Sequence, residues 1–326
     1  MTESQTRAET AAEPAGSDAP VEVLFVGGMP RSGSTLLDLL LGQLPAHCDV
    51  GELFYMWQGG VVRDQLCACG EPFSSCPFWT EVGQRAFGGW DGVDAQEVLQ
   101  LQSQVDSTSR IPLLWAGRLL PGHQAKVERY LELTRRVYRA VAETADAEVV
   151  VDSTKRPSTA YLLAKDPGIT LRAVHIVRDP RGVMNSWSKE VALPDGAGPR
   201  DHLKKRPMRQ IVRRWMTVNA MIGRLAKQGV PLTVMRYEDM VTDPRAAMES
   251  VLALSGRSAA PGDLDYIGPD GVRTGVSHAP TGGRVRFRTG PMALRLDEKW
   301  RTEMPHSRQR LVSWMCRPLM RRYGYR

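Results

Sequence analysis

The chain has 326 residues, 42% of them hydrophobic, and a formal charge of +7 from 43 Lys and Arg against 36 Asp and Glu. That size supports one large α/β domain or two modest ones, and the moderate positive excess suits an anionic ligand or substrate. The basic residues are spread along the chain, which argues against nucleic acid as a partner; the densest group, Lys204, Lys205, Arg206, Arg209, Arg213 and Arg214, reads as a solvated helix face.

Residues 1–20 are Ala, Glu, Ser, Thr and Pro without an apolar run, which predicts a disordered tail and not a signal peptide. No stretch approaches the roughly 20 apolar residues of a membrane span, so the expectation is a cytoplasmic protein with no membrane partner. Val21–Val26 is short and β-branched and predicts a strand, and Thr35–Leu44 predicts a buried helix. Between them, Gly28 and Gly33 stand with four residues between them, as in the phosphate-binding pattern G-x-x-x-x-G-K-[ST]. Ser34 takes the place of the lysine and Thr35 follows. A nucleoside triphosphatase needs that lysine for its β- and γ-phosphates. This loop is therefore read as holding a phosphate-like group through Arg31, Ser32, Ser34, Thr35, backbone N–H groups and a helix N-terminus.

Val50–Trp57 carries Glu52 among Leu53, Phe54 and Trp57, and Gly59–Gly92 reads as an irregular, loop-rich region. The five cysteines, Cys48, Cys67, Cys69, Cys76 and Cys316, are too few and odd in number for a disulfide framework. Cys67, Cys69 and Cys76 form C-x-C-x6-C, without a C-x2-C pair or a second cluster, and His47 and Cys48 lie upstream. This favours loop packing or a labile disulfide, and no metal is assigned. Gln124–Glu143 is an amphipathic helix with Val127, Leu131, Val137, Tyr138 and Val141 on one face. Val149–Val151 predicts a strand ending at Asp152, followed by a helix over Ser158–Ala164. Leu171–Val177 predicts a strand and Pro180–Lys189 a helix with proline in its first turn. A long helix over Met208–Gln228, a strand over Pro231–Arg236 and a helix over Pro244–Leu254 follow, and from Gly268 to Gly290 the pattern dissolves. Strands alternating with helices predict a mostly parallel central sheet with helices on both faces. The ligand then sits beyond the carboxyl ends of the strands, where residues 27–35, 152–156, 178–189 and 236–239 fall.

Arg178 leaves a strand end and Ser186 lies eight residues later, a pair suited to a terminal phosphate. The loop Pro30–Thr35 and the segment Arg178–Lys189 (R-D-P-R-x-x-x-x-S-x-x-K) together resemble the sulfotransferases that use 3′-phosphoadenosine 5′-phosphosulfate (PAPS), most closely the bacterial and carbohydrate-type branch, which has arginine at the position of Arg31. The resemblance runs from about residue 22 to 302. It implies a P-loop-like three-layer fold in a single domain over residues 21–326, with an acceptor region about residues 59–123 and 190–206. It implies that the loop binds the 5′-phosphosulfate and that Arg178 and Ser186 bind the 3′-phosphate. Tyr237, in Arg236-Tyr-Glu-Asp-Met240, would lie near the adenine. Ser277-His278 with Gly282 to Phe287 resembles a late segment that closes over the nucleotide, with Gly283 and Arg284 where the family has asparagine and proline; Arg286 would add charge at the 3′-phosphate.

The expected reaction is transfer of the sulfuryl group of PAPS to a hydroxyl of a small-molecule or carbohydrate acceptor, with no metal required. It needs a base, cations for the leaving group and a site that orients both reactants. Glu52 is the expected base, its apolar neighbours suiting it to exchange a proton; His47 and His175 compete, His175 reading better as a core histidine. Lys155, in Asp152-Ser-Thr-Lys155, would touch the bridging oxygen by resemblance to the family's D-S-[ST]-K segment. Two alternatives stay open. One is a P-loop kinase that lost its lysine and uses Asp152 on magnesium; the other is a non-catalytic nucleotide-binding protein. Trp57, Trp79, Trp115 and Trp187 are candidates to stack on an acceptor ring, although burial is the commoner fate of tryptophan.

Overall fold

A computed structural model describes residues 19–112, 121–189 and 206–326. Most of the expected N-terminal tail, Trp115, Lys204, Lys205 and most of the 190–206 acceptor segment lie outside these residues.

Five parallel strands form the central sheet in the order β2-β3-β1-β4-β5. They are β1 (Val21–Gly28), β2 (His47–Asp49), β3 (Val149–Lys155), β4 (Ile169–Val177) and β5 (Leu232–Arg236). Successive side chains of a strand face opposite sides of the sheet, and β1 follows this rule. Val23 and Phe25 join one core with Val137 and Val141, whereas Leu24 and Val26 join the other with Leu37 and Leu40. A strand buried on both faces reads as a continuous apolar run rather than an alternation, which is the form of Val21–Val26.

On the first face lie α2 (Pro77–Phe87), α3 (Ala95–Val105), α4 (Pro121–Ala145) and α5 (Pro157–Leu163). On the second lie α1 (Ser34–Leu41), α8 (Tyr237–Thr242) and α9 (Pro244–Leu254). A third cluster joins Met29 and Val177, at the strand ends, to α6 (Pro180–Ser188), α7 (Met208–Ile222) and α11 (His306–Arg322); a short α10 (Trp300–Glu303) precedes α11.

Three departures from expectation have local causes. The region Gly59–Gly92 contains α2, started by Pro77 at its first turn, where the missing N–H of proline is no loss. The helix from Met208 stops at Ile222, capped by Gly223, and Leu225–Gln228 continues as a 3-10 turn ended by Gly229 at φ 81°. Within residues 268–290, β7 (Gly271–Thr274) pairs antiparallel with β6 (Ile267–Gly268) and β8 (Gly290–Met292). These strands are too short to show an alternation. No helix of the described residues is long and apolar enough to cross a membrane.

Candidate active site

β1 lies between β3 and β4, so the loop after β1 is flanked by whatever those two strands carry at their carboxyl ends. Gly27 stands opposite Lys155 of β3, and Gly28 opposite Ile176 of β4, two residues before Arg178. This is the crevice in which open parallel sheets bind ligands.

The loop itself is held in an unusual backbone form. Arg31 has φ 76° and Gly33 φ 88°. A side chain on Gly33 would stand 2.5 Å from the Tyr237 ring, so glycine is required twice over at this turn into α1. A non-glycine residue at positive φ costs about 1–3 kcal/mol and persists where surrounding contacts impose it; Lys155, at φ 68°, is a second case. Ser32 is fully buried, and neither its Oγ nor the buried Nη2 of Arg31 has a hydrogen-bond partner. Buried polar atoms are almost always paired, and these two unpaired donors belong to adjacent residues in a loop that begins a helix. The Arg31 guanidinium sits 5.7 Å from the Trp187 ring, and burial, followed by the nearby charge of Arg178, lowers its proton affinity. Ser34 is buried, and Thr35 faces Gly283 of the late segment.

Arg178 ties the β4 end to this loop. Its Nη1 donates to the Arg31 carbonyl at 3.1 Å, and its Nη2 donates to the backbone oxygen and to Oδ2 of Asp297 at 2.9 and 3.0 Å. The guanidinium lies 4.4 Å from the centre of the Tyr237 ring. Tyr237 thus packs under Arg178 and against Gly33, as the first residue of α8. Ser186 is half-buried on α6, two turns beyond Arg178. Asp179 caps that helix by accepting from the Arg181 N–H, and Glu238 accepts from the Asp179 N–H and the Tyr325 hydroxyl.

Glu52 and Lys155 meet on the other flank. Lys155 Nζ lies 2.6 Å from Glu52 Oε1, and both side chains are largely buried. The chain beyond β2 runs beside β3 and brings them together. Ser153 N–H donates to the Gly51 carbonyl, Phe54 N–H to Thr154 Oγ1, and Leu53 N–H to Asp152 Oδ1. The carboxylate of Glu52 therefore faces an ammonium rather than the apolar wall its neighbours suggested; Leu53 and Trp57 point into the core. Asp152 has no room for the magnesium role of the kinase reading. It is fully buried, its Oδ1 accepts from Thr154 N–H and Leu53 N–H, and its Oδ2 from the Tyr138 hydroxyl.

Arg286 is buried, with its guanidinium donating to the carbonyls of Gly282 and Leu66. Burial lowers its proton affinity to about 10, and the opposing charges it feels are those of Glu52 and Cys67. It belongs to the Glu52 flank and makes none of its hydrogen bonds with the Arg178 group. His175 is a core residue: it is fully buried, bonds Asn219 Oδ1 at 3.0 Å, and burial lowers its pKa to about 4. His47 pairs with Val149, six residues before Lys155 at the opposite end of β3, and cannot reach the crevice. Trp57, Trp79 and Trp187 are all buried packing residues.

Sequence reasoning missed a pair of buried acids beneath the loop. Burial raises the Asp49 carboxyl to about 6, although Ser277 Oγ donates to it at 2.6 Å. Asp38 is raised well above its usual range by burial first and by Asp49 second. Such an acid binds its proton more tightly folded than unfolded. Its contribution to stability is full below about pH 4 and is lost as pH rises through about 6. Asp49→Asn is therefore expected to gain stability relative to the native chain between about pH 4 and about pH 6, with a constant gap above that. Urea midpoints across this range give the test; a gap independent of pH would refute it.

The sequence model of the Sulfotransferase family matches residues 23–261. Human Carbohydrate sulfotransferase 6 is 28% identical over 181 residues, 51% of this chain and 44% of that protein. Human Carbohydrate sulfotransferase 3 is 26% identical over 179 residues, 50% of this chain and 35% of that protein. The matched part thus spans less than half the length of these relatives. Among solved structures, the Sulfotransferase Domain from the Curacin Biosynthetic Pathway aligns with a TM-score of 0.50 at 17% identity, covering 94% of this chain and 99% of that chain. At that identity the likeness speaks to the fold.

Proposed function

The chain belongs to the sulfotransferase family, and we propose that it transfers the sulfuryl group of PAPS to a hydroxyl of a carbohydrate or small-molecule acceptor. The observation that carries this reading is the pairing of two unpartnered buried donors, Arg31 Nη2 and Ser32 Oγ, with the Glu52–Lys155 ion pair one strand away.

In this proposal the loop from Arg31 to Thr35, with Gly33 and Ser34, holds the 5′-phosphosulfate at the N-terminus of α1, where N–H groups and dipole favour an anion. Arg178 and Ser186 hold the 3′-phosphate, and Tyr237 supports Arg178 from below. The acceptor oxygen attacks sulfur while the bond from sulfur to the bridging phosphate oxygen breaks, and the acceptor proton passes to Glu52. Adenosine 3′,5′-bisphosphate leaves. The ion pair couples these events. Once Glu52 takes a proton it no longer attracts Lys155, and the ammonium is free to offset the charge growing on the leaving oxygen. Arg286, on the same flank, adds positive charge near the transferring group. No residue in this sequence of events calls for a metal. The carbohydrate sulfotransferases among the relatives favour a sugar hydroxyl as acceptor.

Ligand binding separates this reading from a kinase. Adenosine 3′,5′-bisphosphate at about 100 times its dissociation constant adds about 2.7 kcal/mol of stability, and the melting temperature should rise by several degrees without magnesium. A rise with ATP and magnesium, and none with the bisphosphate, would overturn the proposal.

A further inference from the structure

Three cysteines and one histidine converge outside the crevice. Cys67, Cys69, Cys76 and His278 place three sulfurs and a ring nitrogen within 4.8 Å of one another. Cys76 Sγ is 3.7 Å from both other sulfurs and 3.3 Å from His278 Nδ1, and Cys67 Sγ is 3.8 Å from that nitrogen. All three are free thiols. Tetrahedral Zn²⁺, with Zn–S of about 2.3 Å and Zn–N of about 2.0–2.1 Å, sets its sulfurs about 3.8 Å apart and sulfur about 3.6 Å from nitrogen. Four of the six separations, 3.3–3.8 Å, are close to the edges of that tetrahedron, and the remaining two lie within 4.8 Å.

The surroundings are those of a thiolate site. The N–H groups of Cys69, Glu71 and Trp79 point at the sulfurs of Cys67, Cys69 and Cys76. Gly70, at φ 99°, lets the chain turn tightly enough for this. His278 is fixed on two sides: its ring stacks on Phe78 at 4.7 Å, and its carbonyl accepts from Trp79 Nε1 at 2.6 Å. The stacking and this hydrogen bond hold the imidazole and its backbone in place beside the sulfurs.

We propose that Cys67, Cys69, Cys76 and His278 bind one structural Zn²⁺ that fastens the late segment, residues 277–287, to the cysteine loop. Four protein ligands close the coordination sphere, which suits structure and not catalysis. On binding, each thiol gives its proton to solvent and ligates as a thiolate, leaving the site with one net negative charge. Arg286, bonded to the Leu66 carbonyl beside Cys67, is the counter-charge. The fastened segment reaches the crevice: Ala68 N–H donates to the Ala279 carbonyl, and Thr281 Oγ1 to the Glu52 carbonyl.

The test is metal content of the full chain, which does not depend on the sulfuryl-transfer reading. Elemental analysis of protein purified without chelator should give about one zinc per chain. Exchange with Co²⁺ should give the visible absorption of tetrahedral, thiolate-ligated cobalt. His278→Ala and Cys69→Ser should each bind zinc at least tenfold more weakly and melt several degrees lower, and chelation should lower the melting temperature of the native chain by more than that of the variants. If the variants fail to fold, the native chain alone decides. Iron in place of zinc, no metal after refolding with Zn²⁺, or a mass two hydrogens short from a disulfide among these cysteines would each overturn the proposal.

Discussion

Glu52→Gln is expected to lower the rate of sulfuryl transfer by about 10²- to 10⁴-fold, the usual contribution of a positioned general base, with binding of adenosine 3′,5′-bisphosphate nearly unchanged. The amide keeps the shape of the side chain and its place beside Lys155, but it cannot take a proton. A second effect follows from the 2.6 Å contact with Lys155. The substitution leaves a buried ammonium without its partner, and breaking a buried pair costs about 3–5 kcal/mol where the charges are fully desolvated. Glu52 retains some contact with solvent, so the loss should be smaller. The double variant Glu52→Gln, Lys155→Met should recover most of the stability and none of the activity. Activity and stability recovering together would mean that the pair is only a strut. Undiminished transfer in Glu52→Gln would remove the base assignment.

Arg178→Ala should weaken adenosine 3′,5′-bisphosphate by about 10- to 150-fold, corresponding to about 1.5–3 kcal/mol for a hydrogen bond to a charged group. In the proposed role the guanidinium is pre-organised for the 3′-phosphate. It is buried over the Tyr237 ring, and its bonds to Arg31 and Asp297 hold its plane. The same bonds create an ambiguity, because the variant also releases the Arg31 carbonyl and with it the strained turn of the loop. Adenosine 5′-phosphosulfate, which lacks the 3′-phosphate, resolves it. Native and variant chains should bind that ligand alike if Arg178 reads the 3′-phosphate. An equal loss for both ligands would show that Arg178 acts through the loop.

The parts of the site that were legible in the sequence are contiguous. The loop Pro30–Thr35 and the segment Arg178–Lys189 each carry their chemistry within a dozen residues. The apolar strands before them are strong signals because buried parallel strands are apolar on both faces. Glu52 is legible from its apolar neighbours and Lys155 from the resemblance of Asp152–Lys155 to a family segment, but their contact is not. It depends on the chain after β2 running beside β3, a pairing between residues about a hundred positions apart. The flank to which Arg286 belongs was likewise settled by two backbone carbonyls, one of them from Leu66.

Consecutive residues by themselves determined the alternation of strand and helix and the glycine turn after β1, since turn chemistry and hydrophobic periodicity are local, and the motifs at Pro30–Thr35 and Arg178–Lys189 carried the resemblance to the family. Tertiary structure alone decided which distant groups share a dielectric and a distance. Asp38 and Asp49 became a buried acid pair. His175 became a neutral core residue. His278, read first as part of a nucleotide cover, became the fourth corner of a cysteine cluster two hundred residues away. The physical reason is the same in each case. A side chain's charge state and ligands follow from what the folded chain packs against it, and spacing along the sequence carries that information only when the partners are neighbours in the chain.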